Sequence, residues 1–157
     1  MENAEFHTVR GYQLLDQNNK LLTSAMEDYL EMIYRYSITE GFFRVNKLAD
    51  LLNVKASSAT KMVQKLGMLG LLNYEKYGII NLTEDGKYIG KYLLNRHNTI
   101  EEFLKIIGNN ENIFIETELI EHSINSITLS NMTKLINFFK DNPEVYRNYV
   151  GANNVRP

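Results

Sequence analysis

A chain of 157 residues, 44% hydrophobic and 23% charged, has enough apolar surface for a real core in one or two small domains. It contains no cysteine, which excludes disulfides, thiolate catalysis and Cys-based zinc or iron–sulfur sites, so any metal must be held by oxygen and imidazole. A formal net charge of −2 confines nucleic-acid binding to a local patch, and with neither a transmembrane-length apolar run nor a secretory leader the expectation is cytoplasmic, away from membranes.

Residues 1–22, polar near DQNNK and without a clear amphipathic period, read as an N-terminal extension or a short, weakly specified helix. SAMEDYLEMIYRYS opens with a capping box, Ser24 and Glu27, and keeps Met26, Leu30, Ile33 and Tyr34 at helical spacing. RVNKLADLLNVKASSATKMVQKLGMLGLL divides into a short helix at 45–53, a turn at Val54–Lys55 and a second helix over Ser57–Leu69 with Ser57 as its N-cap. After Gly70 the period becomes strand-like, and LLNYEKYGIINLT predicts a hairpin turning at Tyr77–Gly78. Thr83 caps a long helix, with Glu84 and Asp85 in its first turn, that runs to a stop at Gly108. Helices are expected at 111–124 and 128–141; Pro143 ends the second, and GANNVRP is a frayed end.

Helix, helix, tight turn, helix and hairpin is the order of a winged helix-turn-helix, here over 23–92. A helical domain over 93–142 and a tail over 143–157 follow. The fold class is therefore mainly α, with a small β-hairpin wing. The second helix of the pair offers Ser57, Ser58, Thr60, Lys61, Gln64 and Lys65, with Lys55 before it, and these are types that contact phosphates and base edges. Between Arg44 and Lys65 five basic residues (Arg44, Lys47, Lys55, Lys61, Lys65) face the single acid Asp50, a locally basic stretch in an acidic chain. Lys76, near the hairpin tip, is placed for a backbone phosphate. An ordinary solvated lysine face is the plainer alternative; order and charge together favour double-stranded DNA.

ETELIEHS, residues 116–123, places Glu118, Glu121 and His122 on one helical face, at i, i+3 and i+4. A solvated acidic face is the usual meaning of such a cluster. Here Phe114 and Ile115 precede it by one turn, which predicts half-buried carboxylates, and a buried carboxylate needs a partner. The helix itself holds no Lys or Arg. His97 lies on the stripe Leu93, His97, Ile100, Leu104, Ile107, where a hydrogen-bonded core histidine is the plainer expectation. Asp28 and Glu31 sit three apart on the first helix. Together these residues offer enough oxygen and imidazole donors for one or two divalent cations of intermediate hardness, Mn²⁺ or Fe²⁺.

The segments SAMEDYLEMIY, SSATKMVQKL, YEKYGIINLTEDGKYIGK, NRHNTIEEFLKIIG and ETELIEH, within residues 23–140, resemble the diphtheria toxin repressor family, nearest its manganese-sensing, MntR-like branch. The resemblance implies a winged helix that binds operator DNA, a helical dimerisation domain, and metal held where the two meet. Carried over position by position, the implied ligands are Asp28, Glu31, His97, Glu118, Glu121 and His122. The iron-sensing branch has a methionine at the place of Asp28 and a cysteine at that of Glu118, so the harder donors here point to Mn²⁺. A binuclear site bridged by Glu31 and Glu121 is also implied. Residues 1–22, a shorter hairpin at KYGII and a shortened loop before ETELIEH depart from the family pattern. No C-terminal SH3-like domain is expected, as in the short manganese-sensing branch.

The expected function is thus a manganese-responsive, homodimeric transcriptional repressor of metal-uptake genes, in which metal favours the DNA-binding conformation. The expected dimer seam is the stripe Leu129, Met132, Leu135, Ile136 and Phe139. The alternatives are an Fe²⁺-responsive regulator of the same family and a winged-helix regulator of a non-metal ligand. An enzyme is not expected. A carboxylate-bridged di-iron protein wants Glu three residues before each ligand histidine, and Leu119 and Leu94 stand there. No HExxH or nucleotide-binding loop occurs, and no small organic substrate is foreseen.

Overall fold

The computed structural model describes residues 13, 14, 16, 22–41, 43–75, 78–109 and 111–153. The chain divides into two compact units, residues 1–95 and 96–157.

In the first unit, α1 (Ser24–Glu40) buries Met26, Tyr29, Leu30 and Ile33, the spacing of one apolar face. Its cap is Thr23 rather than Ser24. The backbone of Thr23 is extended (φ −88°, ψ 161°), and its hydroxyl accepts from the Met26 N–H at 3.3 Å. Gly41, at φ 75°, closes the helix with a left-handed residue that a side chain would strain. A two-residue strand, β1 (Phe43–Arg44), then enters the sheet, which the hydrophobic pattern alone did not foretell.

The helix pair is α2 (Val45–Leu51) and α3 (Ala56–Met68). Leu48 and Ala49 from α2, and Ala59, Val63 and Leu66 from α3, are buried where the two pack. The turn between them is longer than Val54–Lys55, because α2 stops at Leu51 rather than 53; it runs over 52–55 and uses Asn53 at φ 51°, while the Val54 N–H reaches back to the Ala49 carbonyl at 2.9 Å. Lys55 is the N-cap of α3 and makes no side-chain cap bond, so Ser57 lies inside the helix rather than capping it. β2 (Leu72–Tyr74) and β3 (Ile79–Leu82) form the wing. The sheet order is β1–β3–β2, antiparallel throughout, pairing Phe43 with Ile80, Leu72 with Leu82 and Tyr74 with Ile80. This is a winged helix-turn-helix.

α4 (Glu84–Ile106) starts as expected at Thr83, whose hydroxyl accepts from the Gly86 N–H at 3.1 Å and donates to the Gly70 carbonyl at 2.7 Å. Its first turns lie so close to the wing domain that only glycine fits. A Cβ on Gly86 would stand 1.8 Å from the Leu71 carbonyl oxygen, and one on Gly90 2.5 Å from the Tyr34 Cβ.

The second unit holds the end of α4, α5 (Ile113–Ile120), a 3₁₀ turn over Glu121–Ser123, α6 (Ser126–Asp141) and α7 (Pro143–Asn153). Three expectations are corrected here. The helix foreseen at 111–124 is α-helical only over 113–120 and tightens to 3₁₀ through Glu121 and His122. α6 begins at Ser126, because Asn125 caps it by accepting from the Thr128 N–H at 2.9 Å. Pro143 does more than end α6: it opens a further helix at its first position, where its missing N–H costs nothing and its φ is already helical. Phe139 of α6 meets Tyr146 and Tyr149 of α7 with ring centroids 5.4 Å apart in each pair.

Candidate metal centre

α4 carries His97 on the stripe whose neighbours Leu93, Ile100 and Leu104 are all buried, and the imidazole is buried with them. A buried ring needs polar partners, and α5 with its 3₁₀ turn supplies them. Nδ1 of His97 is 2.9 Å from Oε2 of Glu121 and 3.5 Å from Oε1 of Glu118. The Glu121 side chain is 1% exposed and that of Glu118 40%, so one carboxylate is sealed and the other faces the solvent. His122 follows, with Nε2 3.7 Å from Oε1 of Glu121 and Nδ1 3.2 Å from a guanidinium nitrogen of Arg96. Glu118 and Glu121 share a face because three residues make nearly one turn in either helix type.

Four of the six expected ligands, His97, Glu118, Glu121 and His122, are therefore brought together in the second unit. Asp28 and Glu31 lie in the first unit, one turn apart on α1, half-buried and buried respectively. Oε1 of Glu31 accepts from Arg35 Nη2 at 2.5 Å. Burial pushes the hydroxyls of Tyr29 and Tyr34, on the same helix, above the ordinary tyrosine value, so both stay neutral at physiological pH.

The carboxylates are half-buried or buried as expected, although Phe114 and Ile115 are not what covers them, each being 57% exposed. Phe114 does reach the imidazole of His97, at 5.5 Å between ring centroids. Sequence reasoning also missed Glu101, whose Oε2 is 3.7 Å from His97 Nε2, and Arg96. The i, i+4 spacing of His97 and Glu101 on one helix was the available signal for the first. For Arg96 there was none beyond adjacency to His97.

The donor set suits a dication. Two imidazoles, the sealed carboxylate of Glu121 and the open one of Glu118 offer nitrogen and oxygen only, and a sealed carboxylate favours a positive charge beside it. Such donors match Mn²⁺ or Fe²⁺ better than thiophilic ions.

In the winged helix, Arg44, Lys47, Lys55, Ser57, Ser58, Lys61, Gln64 and Lys65 are all exposed, with Ala59, Val63 and Leu66 turned to the core. Thr60 differs: it is half-buried, and its hydroxyl donates to the Ala56 carbonyl at 2.9 Å. Lys76 lies outside the described residues. Along the expected dimer stripe, Leu129 and Ile136 are buried within the single chain, Met132 and Phe139 are half-buried, and Leu135 is 38% exposed. No helix among the described residues is long and apolar enough to cross a membrane.

Comparison with known proteins supplies a frame for these sites. Residues 21–80 match the family described as iron dependent repressor, N-terminal DNA binding domain. Residues 83–147 match the iron dependent repressor metal binding and dimerisation domain. The HTH-type transcriptional regulator MntR of Oceanobacillus iheyensis is 48% identical over 120 residues, covering 76% of this chain and 82% of the relative. That of Lysinibacillus sphaericus is 40% identical over 126 residues, covering 80% and 91%. Among solved structures, the manganese regulator SloR superposes with a TM-score of 0.65 at 28% identity, over 74% of this chain and 55% of that one. T. acidophilum IdeR gives 0.63 at 26%, over 71% and 53%. The chain thus spans just over half the length of these two solved regulators.

Proposed function

The chain belongs to the iron dependent repressor family, and on that premise we propose that it is a manganese-responsive, homodimeric DNA-binding repressor. The relatives are transcriptional regulators, and the function is regulation rather than catalysis. A regulator of this kind works in the cytoplasm, beside the DNA it reads. The observation that carries the metal reading is the sealed contact of His97 with Glu121, flanked by Glu118 and His122, inside the segment that matches a metal-binding domain.

His97, Glu118, Glu121 and His122 would hold the ion from the second unit, and Asp28 and Glu31 would complete its ligands from α1. Bound Mn²⁺ supplies positive charge that offsets the mutual repulsion of these acids. Every other part of the switch belongs to the chain. Asp28 and Glu31 lie on the helix that packs against α3, so the position of α1 is passed directly to the recognition helix. Lys55, Lys61 and Lys65 would meet phosphates, Ser57, Ser58 and Gln64 would reach base edges or backbone, and Arg44 and Lys47 would flank them, while Thr60 stays engaged with the Ala56 carbonyl. Metal that prefers the DNA-competent arrangement by a few kcal/mol suffices for a switch.

Fe²⁺ is the second reading, because the family is described by iron and these donors accept either ion. The test is equilibrium dialysis of chelator-stripped protein against Mn²⁺ and, anaerobically, Fe²⁺, paired with binding to operator DNA in each metal. Mn²⁺ bound at one to two ions per chain, with DNA binding that needs it, supports the proposal. DNA binding indifferent to metal would overturn it, and stronger activation by Fe²⁺ at equal free ion would transfer the role to iron.

A further inference from the structure

Arg35 has no part in the metal reading, yet it touches one of the proposed ligands. It follows Glu31 by one turn on α1, and its Nη2 donates to Oε1 of that carboxylate at 2.5 Å. The acid side chain is 9% exposed and that of Arg35 39%. Such a bond is charge-assisted and half out of water, stronger than an ordinary surface pair.

Two features make Arg35 displaceable. Its Nε is buried and finds no hydrogen-bond partner among the described residues, so the guanidinium carries an unpaired N–H while it sits on Glu31. The rest of the side chain already borders solvent, and swinging outward would hydrate that N–H. A dication at Glu31 would draw on the same lone pairs and meet the positive charge of Arg35 a few ångströms away, where like charges oppose each other strongly.

We propose that Arg35 is a resident counter-cation of Glu31 that competes with the metal and so sets the Mn²⁺ concentration at which this protein responds. This rests on Glu31 being a ligand, as proposed above. Without metal, Arg35 keeps a nearly buried carboxylate compensated. With metal, it gives up that carboxylate, and the lost ion pair raises the free Mn²⁺ needed for half-saturation. Arg35 is thus a positioning residue, acting through Glu31 and never on the ion.

The experiment compares wild type, Arg35→Met, Arg35→Lys and Glu31→Gln for Mn²⁺ binding by equilibrium dialysis, with thermal melts in chelator and in saturating Mn²⁺. Arg35→Met is expected to tighten Mn²⁺ binding roughly tenfold and to melt below wild type in chelator but not in saturating Mn²⁺. Arg35→Lys, which keeps the charge, should stay near wild type, and Glu31→Gln should bind more weakly. Weaker or unchanged binding by Arg35→Met, with weakened Glu31→Gln, would overturn the competition while leaving Glu31 a ligand. Unchanged binding by Glu31→Gln would remove Glu31 from the site and this inference with it.

Discussion

Nδ1 of His97 lies 2.9 Å from Oε2 of Glu121, and both side chains are almost wholly shut off from water. An acid sealed against an imidazole is held in one orientation, ready for a cation, and this makes Glu121 separable from the fold. Glu121→Gln keeps the volume and a hydrogen bond to His97 while deleting the charge. We expect the metal-free variant to melt within a few degrees of wild type, since glutamine keeps the shape and a hydrogen-bond partner for His97 at that buried position. Mn²⁺ affinity should fall on the order of a hundredfold, and the rise in Tm on adding Mn²⁺ should disappear. Calorimetry with and without metal reads both.

Glu118 is the partly open member of the cluster, and Glu111 is an exposed acid just before α5. Glu118→Ala should weaken both Mn²⁺ binding and metal-dependent DNA binding, while Glu111→Ala leaves both at wild-type values. Titrating a labelled operator at fixed free Mn²⁺ separates the two. Equal behaviour of the pair would show that acidity in this region, rather than a site, was being measured.

On the recognition helix the exposed and the engaged side chains predict different outcomes. Lys61→Ala should lower the slope of log K against log salt by about one, the signature of one lost phosphate contact. Gln64→Ala should relax sequence preference by roughly 1–3 kcal/mol at one base pair. Thr60→Val should change little, because the Thr60 hydroxyl is already spent on the Ala56 carbonyl. Fluorescence anisotropy across a salt series, on operator and scrambled DNA, distinguishes all three.

The helix order, the hairpin and the cap at Thr83 were legible because each has a local cause: apolar spacing, a change of period, a hydroxyl before a helix. What escaped had causes outside such windows. β1 is two residues long and exists only because Phe43 pairs with Ile80 far along the chain. Pro143 is both a stop and a start, and only the aromatic packing of Phe139 on Tyr146 and Tyr149 shows which follows. The candidate ligands came from residue type and family resemblance. The arginines did not, because Arg96 meets His122 from 26 positions away along the chain and the bond from Arg35 to Glu31 has the spacing of any i, i+4 pair.

Glycine at 86 is required by contact rather than by conformation. Its Cβ would meet the Leu71 backbone oxygen at 1.8 Å, and backbone cannot move aside as a flexible side chain can. Gly86→Ala should cost about 3 kcal/mol and lower Tm by roughly 10 °C. Gly41→Ala, at φ 75° with open space around it, should cost only about 1 kcal/mol. Denaturant melts of the two variants give the ordering directly.

The expected dimer stripe divides by burial, and the division makes it testable. Ile136 is 3% exposed in the single chain, so Ile136→Asp puts an unpaired charge into that chain's own core and should unfold it. Leu135, one residue before it, is 38% exposed, and Phe138, three residues after Leu135, is 49% exposed. An aspartate at 135 costs a lone chain almost nothing but would place two like charges near a twofold axis if this face is the seam. Leu135→Asp should therefore keep its helical circular dichroism and sediment as a monomer. Its operator affinity should drop to that of one half-site, since two recognition helices no longer arrive about 34 Å apart. A Leu135→Asp protein that remains dimeric would move the seam to another face of the second unit, with exposed Ile127 and Leu119 the next residues to change.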